Sequence, residues 1–414
     1  MVTLPAPDFR AVSEFSYPNL MTLIKIIFWL SLFVIMYSYI GYGILLYMLV
    51  QLKKIFSRKK SVALPTYEPS VSLVVAAWNE EDFIQAKIDN TLQLEYPEEK
   101  LQLIFITDGS TDKTPEIVSR NERLQLLHEP TRRGKVAAMN RAIDFVSAPI
   151  VVFCDANTLL NKECVRNLVV HYANQRVGAV AGEKKIHITE EGKAAATGEG
   201  LYWKYESFLK KMDAQLYSVV GAAGELFSIR TELFEKVAED TIIEDFVQSL
   251  RVCIKGYVVH YEPRAYAVET ASLSMKDEQK RKVRICAGAF QAMGILKDLF
   301  NVFKYPVLSF QFISHRILRW TLCPICLFTL LASNLLLAVL DQGLLYSVFL
   351  FLQLIFYSLA IIGWIYASRN IKIKFVYIPY YFLFMNISVF TGFGRFLQNK
   401  QTVLWEKAAR QKTA

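Results

Sequence analysis

The apolar positions of this chain are bunched at its two ends and alternate with polar ones in between. Met21–Val50 is almost wholly apolar apart from Lys25, and is long enough to cross a bilayer with some tilt. Trp320–Leu340, Leu344–Ala367 and Phe375–Leu397 are further runs of that kind, separated by Asp341-Gln342-Gly343 and by Ser368–Lys374. Gly392, Gly394 and Arg395 interrupt the last of them. Four spans are therefore expected.

Between Pro65 and about Gly294 the pattern turns to short β-branched runs separated by amphipathic stretches, which predicts a Rossmann-like α/β domain with a mainly parallel sheet. Strands are expected at Val71–Ala77, Leu101–Thr107, Leu124–Leu127, Ile150–Phe153 and Val177–Ala181. Helices are expected after Asn79, which can cap one, from Lys135 to Val146, over Phe246–Ile254, and over Ser274–Gly294. Ile295–Leu318 mixes Lys297, Asp298, Lys304 and Arg316 with Leu, Phe and Ile and is divided by Pro306, as interfacial segments are. The organisation that follows is an N-terminal segment with the first span (1–60), an α/β domain (61–294), interfacial helices (295–319), three spans (320–397) and a basic tail (398–414).

Composition agrees with that division. Hydrophobic residues make up 53% of the 414, high for a soluble chain, and the net charge is +9. Basic residues flank the spans: Lys53, Lys54, Arg58, Lys59 and Lys60 follow the first, against only Arg10 before it, which assigns the central domain to the cytoplasmic side of a plasma (inner) membrane. Arg369, Lys372 and Lys374 fall on the same side. Lys400, Lys407, Arg410 and Lys412 do not after four full crossings, so either the last run is re-entrant or the bias is overridden there. Met1–Leu20 has no basic n-region or small-residue cleavage site, and no removed signal peptide is expected. No basic stripe interleaved with aromatics points to nucleic acid. Cys323-Pro324-Ile325-Cys326 has redox-like spacing but lies in an apolar run, where packing is the expected role.

The chemistry gathers where predicted strands stop. Pro149–Asn157 is an apolar strand ending in Asp155, and ligands of open α/β sheets bind beyond such ends. Its oxygens suit a hard divalent cation completed by phosphates and water; a helix-capping role before Thr158 is the plainer alternative. Ala77 leads into Trp78-Asn79-Glu80-Glu81-Asp82 and Thr107 into Asp108-Gly109-Ser110-Thr111-Asp112. Glu244-Asp245 stands at the start of a predicted helix, where acids favour the positive end, and one of them could also act as a base. Gly221-Ala222-Ala223-Gly224 would let backbone approach a flat ligand, or form a tight turn. Arg281, Arg284, Gly288 and Gln291 share a helix face, and two arginines there could grip a diphosphate. Glu183-Lys184-Lys185 and Tyr202-Trp203-Lys204-Tyr205 fit either ligand contacts or ordinary surface.

VVAAWNEE, TDGSTD, RRGKVAAMNRA and FCDANTLL, in this order, resemble the nucleotide-binding half of family-2 glycosyltransferases of GT-A fold, over roughly 71–291. The membrane-integrated hyaluronan, chitin and poly-N-acetylglucosamine synthases are the members it resembles. The resemblance implies nucleotide or donor contacts at Ala77, Asn79, Glu80, Asp108, Lys135, Asp155, Arg281 and Arg284, and Mg2+ or Mn2+ at Asp155 with Asn157. It implies acceptor contacts at Gly221, Gly224, Glu244 and Gln291, and Asp245 as catalytic base. Thr107 stands where the family often has a carboxylate, and Asn157 where it has the second acid of Asp-x-Asp. Processive members carry Gln-x-x-Arg-Trp where this chain has Arg281-Lys282-Val283-Arg284-Ile285, so the stacking aromatic is replaced by Ile285. The function implied is inverting transfer from a UDP-sugar to a β-linked polysaccharide that leaves through the chain's own spans. Single-sugar transfer to a polyprenyl phosphate or diacylglycerol, and a non-catalytic scaffold or passage subunit, stand beside it. The lipid bilayer and accessory subunits complete the expected partners.

Overall fold

The computed structural model describes residues 9–56, 67–187, 193–270, 275–369, 371 and 373–398. Arg58, Lys59, Lys60, Lys372, Ser274 and the basic tail with Lys400, Lys407, Arg410 and Lys412 lie outside the described residues, as do the side chains of Arg10 and Tyr202. Two compact units emerge, Gly43–Arg316 with Ser388–Ala414, and Met1–Tyr42 with Ile317–Ile387.

The first of these is built on an eight-stranded sheet. Its strands are β1 (Val71–Ala77), β2 (Leu101–Asp108), β3 (Gln125–Glu129), β4 (Ile150–Asp155), β5 (Leu159–Leu160), β6 (Val177–His187), β7 (Leu226–Arg230) and β8 (Val258–Thr270), in the order β3-β2-β1-β4-β7-β6-β8-β5. β3, β2, β1 and β4 are mutually parallel. Beyond β4 the sheet is mixed: β7 runs antiparallel to both β4 and β6, β6 and β8 are parallel, and β5 is antiparallel to β8. The expectation of a mainly parallel sheet thus holds for the half that carries the sequence motifs. Of the other half only the start of β6 is expected, because β7 directly follows the glycine-rich stretch and Glu262-Pro263-Arg264 interrupts the alternation of β8.

Near-continuous Val/Ile/Leu runs are needed where a strand is covered on both faces, and β1 is buried at every position. Leu73, Phe105, Val152, Ile84 and Leu168 join in one core, and Phe153 stacks on Phe227 with centroids 5.3 Å apart. Register sets the function. Ala76 pairs with both Ile106 and Asp155, so Asp155 lies one residue short of the end of β1, and Asp108 projects two residues further on the neighbouring strand. At about 3.3 Å per residue, the carboxyl ends of β1, β2 and β4 form one rim.

Two expectations about helices need correction. Asn79 does not cap one: the helix after β1 begins only at Ile84, with Phe83 before it. The helix from Lys135 ends at Ala142 and passes into a tighter turn, Ile143–Phe145. The helices Glu244–Ile254 and Met275–Ile295 form as expected. Against the latter packs the end of Lys374–Leu397, where a Cβ on Gly392 would stand 2.5 Å from Cys286 Cβ and 2.9 Å from Ala287 N. Phe290 and Phe393 meet beside it at 4.8 Å. The glycine that interrupts the apolar pattern is therefore the point of close helix approach, and the helix runs unbroken through it.

In the second unit, Phe28, Leu330, Leu337 and Tyr346 form the core between the helices Phe9–Met36, Leu322–Val339 and Leu344–Ser368. A π-helical turn at Tyr37–Gly41 is met by Arg319, whose Nε and one terminal nitrogen each donate to the Ser38 carbonyl at 3.1 Å. Cys323 and Cys326 are free thiols on one helix, as packing residues would be. Among the described residues four helical stretches are long and apolar enough to cross a membrane: Pro18–Phe56, Leu322–Val339, Leu344–Ser368 and Lys374–Leu397. The chain is thus a membrane protein.

Candidate active site

The rim of β1, β2 and β4 opens onto a shallow cleft lined by Ala76, Ala77, Trp78, Asp108, Arg132, Gly134, Lys135 and Ala138. Asp108 closes its floor. One carboxylate oxygen accepts the backbone N–H of Arg133 at 2.9 Å and of Gly134 at 2.6 Å, which fixes the loop that precedes Lys135. The other, Oδ1, is buried with no hydrogen-bond partner among the described residues and faces Arg141 only at 3.8 Å. A buried acceptor left open in this way costs free energy until a donor reaches it. Gly109 must be glycine: its φ is +65°, and a Cβ would lie 2.6 Å from the backbone N of Arg132.

Trp78 and Arg132, which sequence reasoning did not single out, form one wall. The guanidinium carbon lies 3.3 Å from the indole centroid, a stacked cation–π pair. Burial pushes the Arg132 pKa down and Asp108 opposes it. A Trp directly after a buried strand was the available signal. Asn79 sits at φ 53°, where its amide oxygen accepts the Thr111 N–H at 2.8 Å. Glu80 donates its backbone N–H to Thr114 Oγ1 at 2.8 Å. Both therefore tie the β1 turn to the β2 turn, while Ala76 and Ala77 at the strand end line the cleft. Thr107 Oγ1 pairs with His128 Nδ1 at 2.8 Å, turned away to β3.

Next to the cleft lies a knot of charge. Lys135 Nζ is 2.7 Å from Asp155 Oδ1 and 3.1 Å from Glu244 Oε1. A Cβ on Gly224 would stand 2.9 Å from that same Nζ and 3.2 Å from Asp245 Oδ2, so Asp245 joins the group. Four distant stretches, the ends of β4 and of the glycine turn and the starts of two helices, thus converge on one ammonium. Burial works against the charge of Lys135, but Asp155, Glu244 and Asp245 outweigh it and hold its pKa well above the ordinary lysine value. Burial pushes Asp155 up and Lys135 restrains it. Asp245 goes further: burial, then the adjacent Glu244 carboxylate, raise it to about 7 against the pull of Lys135. Its Oδ1 accepts the Phe246 N–H at 2.8 Å, which fixes the carboxylate at the helix start.

The remaining expected residues divide. Arg284 comes within 3.4 Å of the Ile242 carbonyl; burial lowers its pKa, while Glu244 and Asp245 support its charge. Arg281, one turn away, pairs with Glu278 at 3.0 and 3.1 Å. Gln291 spends both ends of its amide on backbone, accepting from Ile242 N and donating to Asp240 O, each at 2.9 Å. Its place is behind the loop that leads to Glu244 and Asp245. Gly221 has φ +90°, and a Cβ there would fall 2.1 Å from Phe246 Cδ2. It seats the ring that starts the Glu244–Ile254 helix, whereas Gly224 alone opens onto the carboxylates. Glu225, Lys184 and Glu269 form a further ion-pair chain, and the ammonium of Lys184 is 5.3 Å from the Trp203 ring centroid. Lys184 holds Glu225 below the ordinary carboxylate range despite its burial.

For a divalent cation the residues fit, sparely. Asn157 Oδ1 is buried with no hydrogen-bond partner among the described residues, beside a strand that ends in the Asp155 carboxylate. Hard oxygens of this kind suit Mg2+ or Mn2+. No group of three or more His, Cys, Asp or Glu able to hold a metal occurs among the described residues, so most of such an ion's shell would come from phosphates and water.

Residues 72–238 match the family described as Glycosyl transferase family 2. The chain is similar to the poly-beta-1,6-N-acetyl-D-glucosamine synthase of Staphylococcus epidermidis, 27% identical over 283 residues that cover 64% of this chain and 66% of that one. It is likewise 27% identical over 246 residues to the enzyme of that name in Staphylococcus aureus (strain MSSA476), covering 56% of this chain and 57% of that one. The matched stretch spans less than two thirds of either relative's length. In fold it resembles a mannosyltransferase of Pyrobaculum calidifontis in complex with GDP-Man and Mn2+, with a TM-score of 0.66, 23% identity, and 90% of this chain and 99% of that one covered.

Proposed function

With residues 72–238 forming a family-2 glycosyltransferase domain on a GT-A sheet, we propose that the protein is a membrane-integrated inverting glycosyltransferase. It uses a UDP-sugar from the cytoplasm to extend a β-linked polysaccharide and passes the product through its own spans. The observation that carries this reading is the convergence of Asp155 and Asp245 on Lys135 beside Gly224. Inversion needs a base on one side of the anomeric carbon and positive charge on the other.

Asp245 removes the acceptor hydroxyl proton, and a pKa of about 7 makes it a stronger base than an ordinary Asp while leaving it substantially ionised near neutrality. The oxygen then attacks the anomeric carbon as the bond to the diphosphate breaks. Asp108 Oδ1 accepts from the nucleobase, the Trp78–Arg132 wall flanks it, and Lys135 and Arg284 face the departing diphosphate. Asp155 and Asn157 would hold Mg2+ or Mn2+, which supplies further neutralisation of the leaving group. Lys53, Lys54, Arg369 and Lys374 at the span ends support the cytoplasmic side of a plasma (inner) membrane for this domain. The activity for which the relatives are named supports a glycan acceptor and a polymeric product.

Transfer of one sugar to a lipid acceptor is the second reading, favoured by Ile285, which cannot offer an aromatic face to a growing glycan. A donor screen on purified protein with UDP-sugars and GDP-mannose, followed by linkage and size analysis of the product, tests both. A long glycosidase-sensitive polymer supports the first, a single-sugar glycolipid the second. Nucleotide that binds but is never turned over would favour the scaffold reading over both.

A further inference from the structure

We infer that Lys135 occupies the seat of the divalent cation in the unliganded protein, so that metal and nucleotide must bind as a coupled pair. The inference rests on the reading of Asp155 as a cation ligand. The Lys135 ammonium is 2.7 Å from Asp155 Oδ1 and 3.1 Å from Glu244 Oε1, with the three side chains only 14%, 17% and 9% exposed. Gly224 brings Asp245 to the same point. Three carboxylates are therefore already offset in part by a resident cation, with buried Arg284 as a second.

A dication on Asp155 would meet that ammonium at contact distance, and like charges in such surroundings repel strongly. One of the two has to leave. Lys135 has somewhere to go, because the same residue lines the cleft with Trp78, Asp108 and Arg132. It is the first residue of the helix Lys135–Ala142, so its flexible stem can turn from the carboxylates to a diphosphate without any change in the backbone that Asp108 holds. The diphosphate draws the ammonium off Asp155 and offers its own oxygens to the incoming ion. Lys135 thereby links two binding events through one charge.

Mn2+ binding to the full-length protein in nanodiscs, followed by the EPR signal of free Mn2+ with and without UDP, tests this in K135Q, K135R and D155N. In the unsubstituted protein UDP is expected to tighten Mn2+ binding about tenfold or more, and by linkage Mn2+ tightens UDP equally. K135Q is expected to bind nucleotide-free Mn2+ about tenfold tighter than the parent and to show a UDP effect smaller by that factor, the remainder coming from phosphate ligation, whereas K135R keeps the full effect. Should K135Q bind nucleotide-free Mn2+ no better than the parent, or keep the full UDP effect, the inference is overturned while the metal role of Asp155 stands. Mn2+ binding that survives D155N unchanged removes that role, and the inference with it. If K135Q does not fold, K135Q/E244Q, which removes the ammonium with one of its buried partners, is compared with E244Q; equal nucleotide-free Mn2+ affinity in the two again overturns it.

Discussion

The side-chain oxygen of Gln291 accepts the backbone N–H of Ile242 at 2.9 Å, across 49 positions of sequence. Its amide nitrogen holds the Asp240 carbonyl at the same distance. A residue on the Met275–Ile295 helix thus fixes the loop that delivers Glu244 and Asp245. Replacing it with Leu leaves a backbone donor and acceptor unpaired, at a cost of about 1–3 kcal/mol. The expected result is a kcat lowered by about tenfold or more with UDP affinity unchanged, because the nucleotide cleft lies on other strands. Isothermal titration with UDP alongside steady-state rates measures the split.

Asp245→Asn removes the base and should lower kcat by about 10²–10⁴-fold while UDP still binds. In the parent enzyme log(kcat/KM) should rise with pH and level off above about 7, where the Asp245 carboxylate is ionised. A profile flat from pH 5 to 8 would assign the base elsewhere. The same shift predicts a loss of stability as pH climbs from the ordinary Asp value of 3.8 toward about 7, since over that window the folded chain keeps a proton the unfolded chain releases.

Asp108→Asn tests the nucleotide cleft. The carboxylate oxygen that now holds the Arg133 and Gly134 N–H groups can be replaced by the amide oxygen, but the open Oδ1 becomes an NH2 that cannot accept. UDP affinity is expected to fall by about tenfold or more with little change in thermal stability, and equal affinity would show that the nucleobase does not bind there.

Gly221→Ala places a methyl 2.1 Å from Phe246 at φ +90°. Overpacking and backbone strain together should cost about 2–4 kcal/mol and lower the melting temperature. Gly200→Ala, with nothing within 4 Å of the new Cβ in the helix Lys193–Leu216, should leave stability equal or slightly higher. Differential scanning fluorimetry of the pair separates a structural Gly221 from a ligand-facing one: the latter would lose acceptor turnover at unchanged melting temperature.

Local pattern carried far in this protein. Four apolar runs, the strands that end at Ala77, Asp108 and Asp155, and the acids at a helix start follow from hydrophobic period and end signals, because those depend on neighbours a few residues apart. Charge meeting charge does not. Nothing near Lys135 in sequence tells that its ammonium lies between Asp155 and Glu244, or that Arg284 reaches the Ile242 carbonyl. Nor does a glycine's neighbourhood reveal whether it faces a ligand, as Gly224 can, or a phenylalanine, as Gly221 does. Periodicity fixes which residues face inward; only the packing of remote segments decides which buried groups are satisfied by one another and which are left open for a substrate.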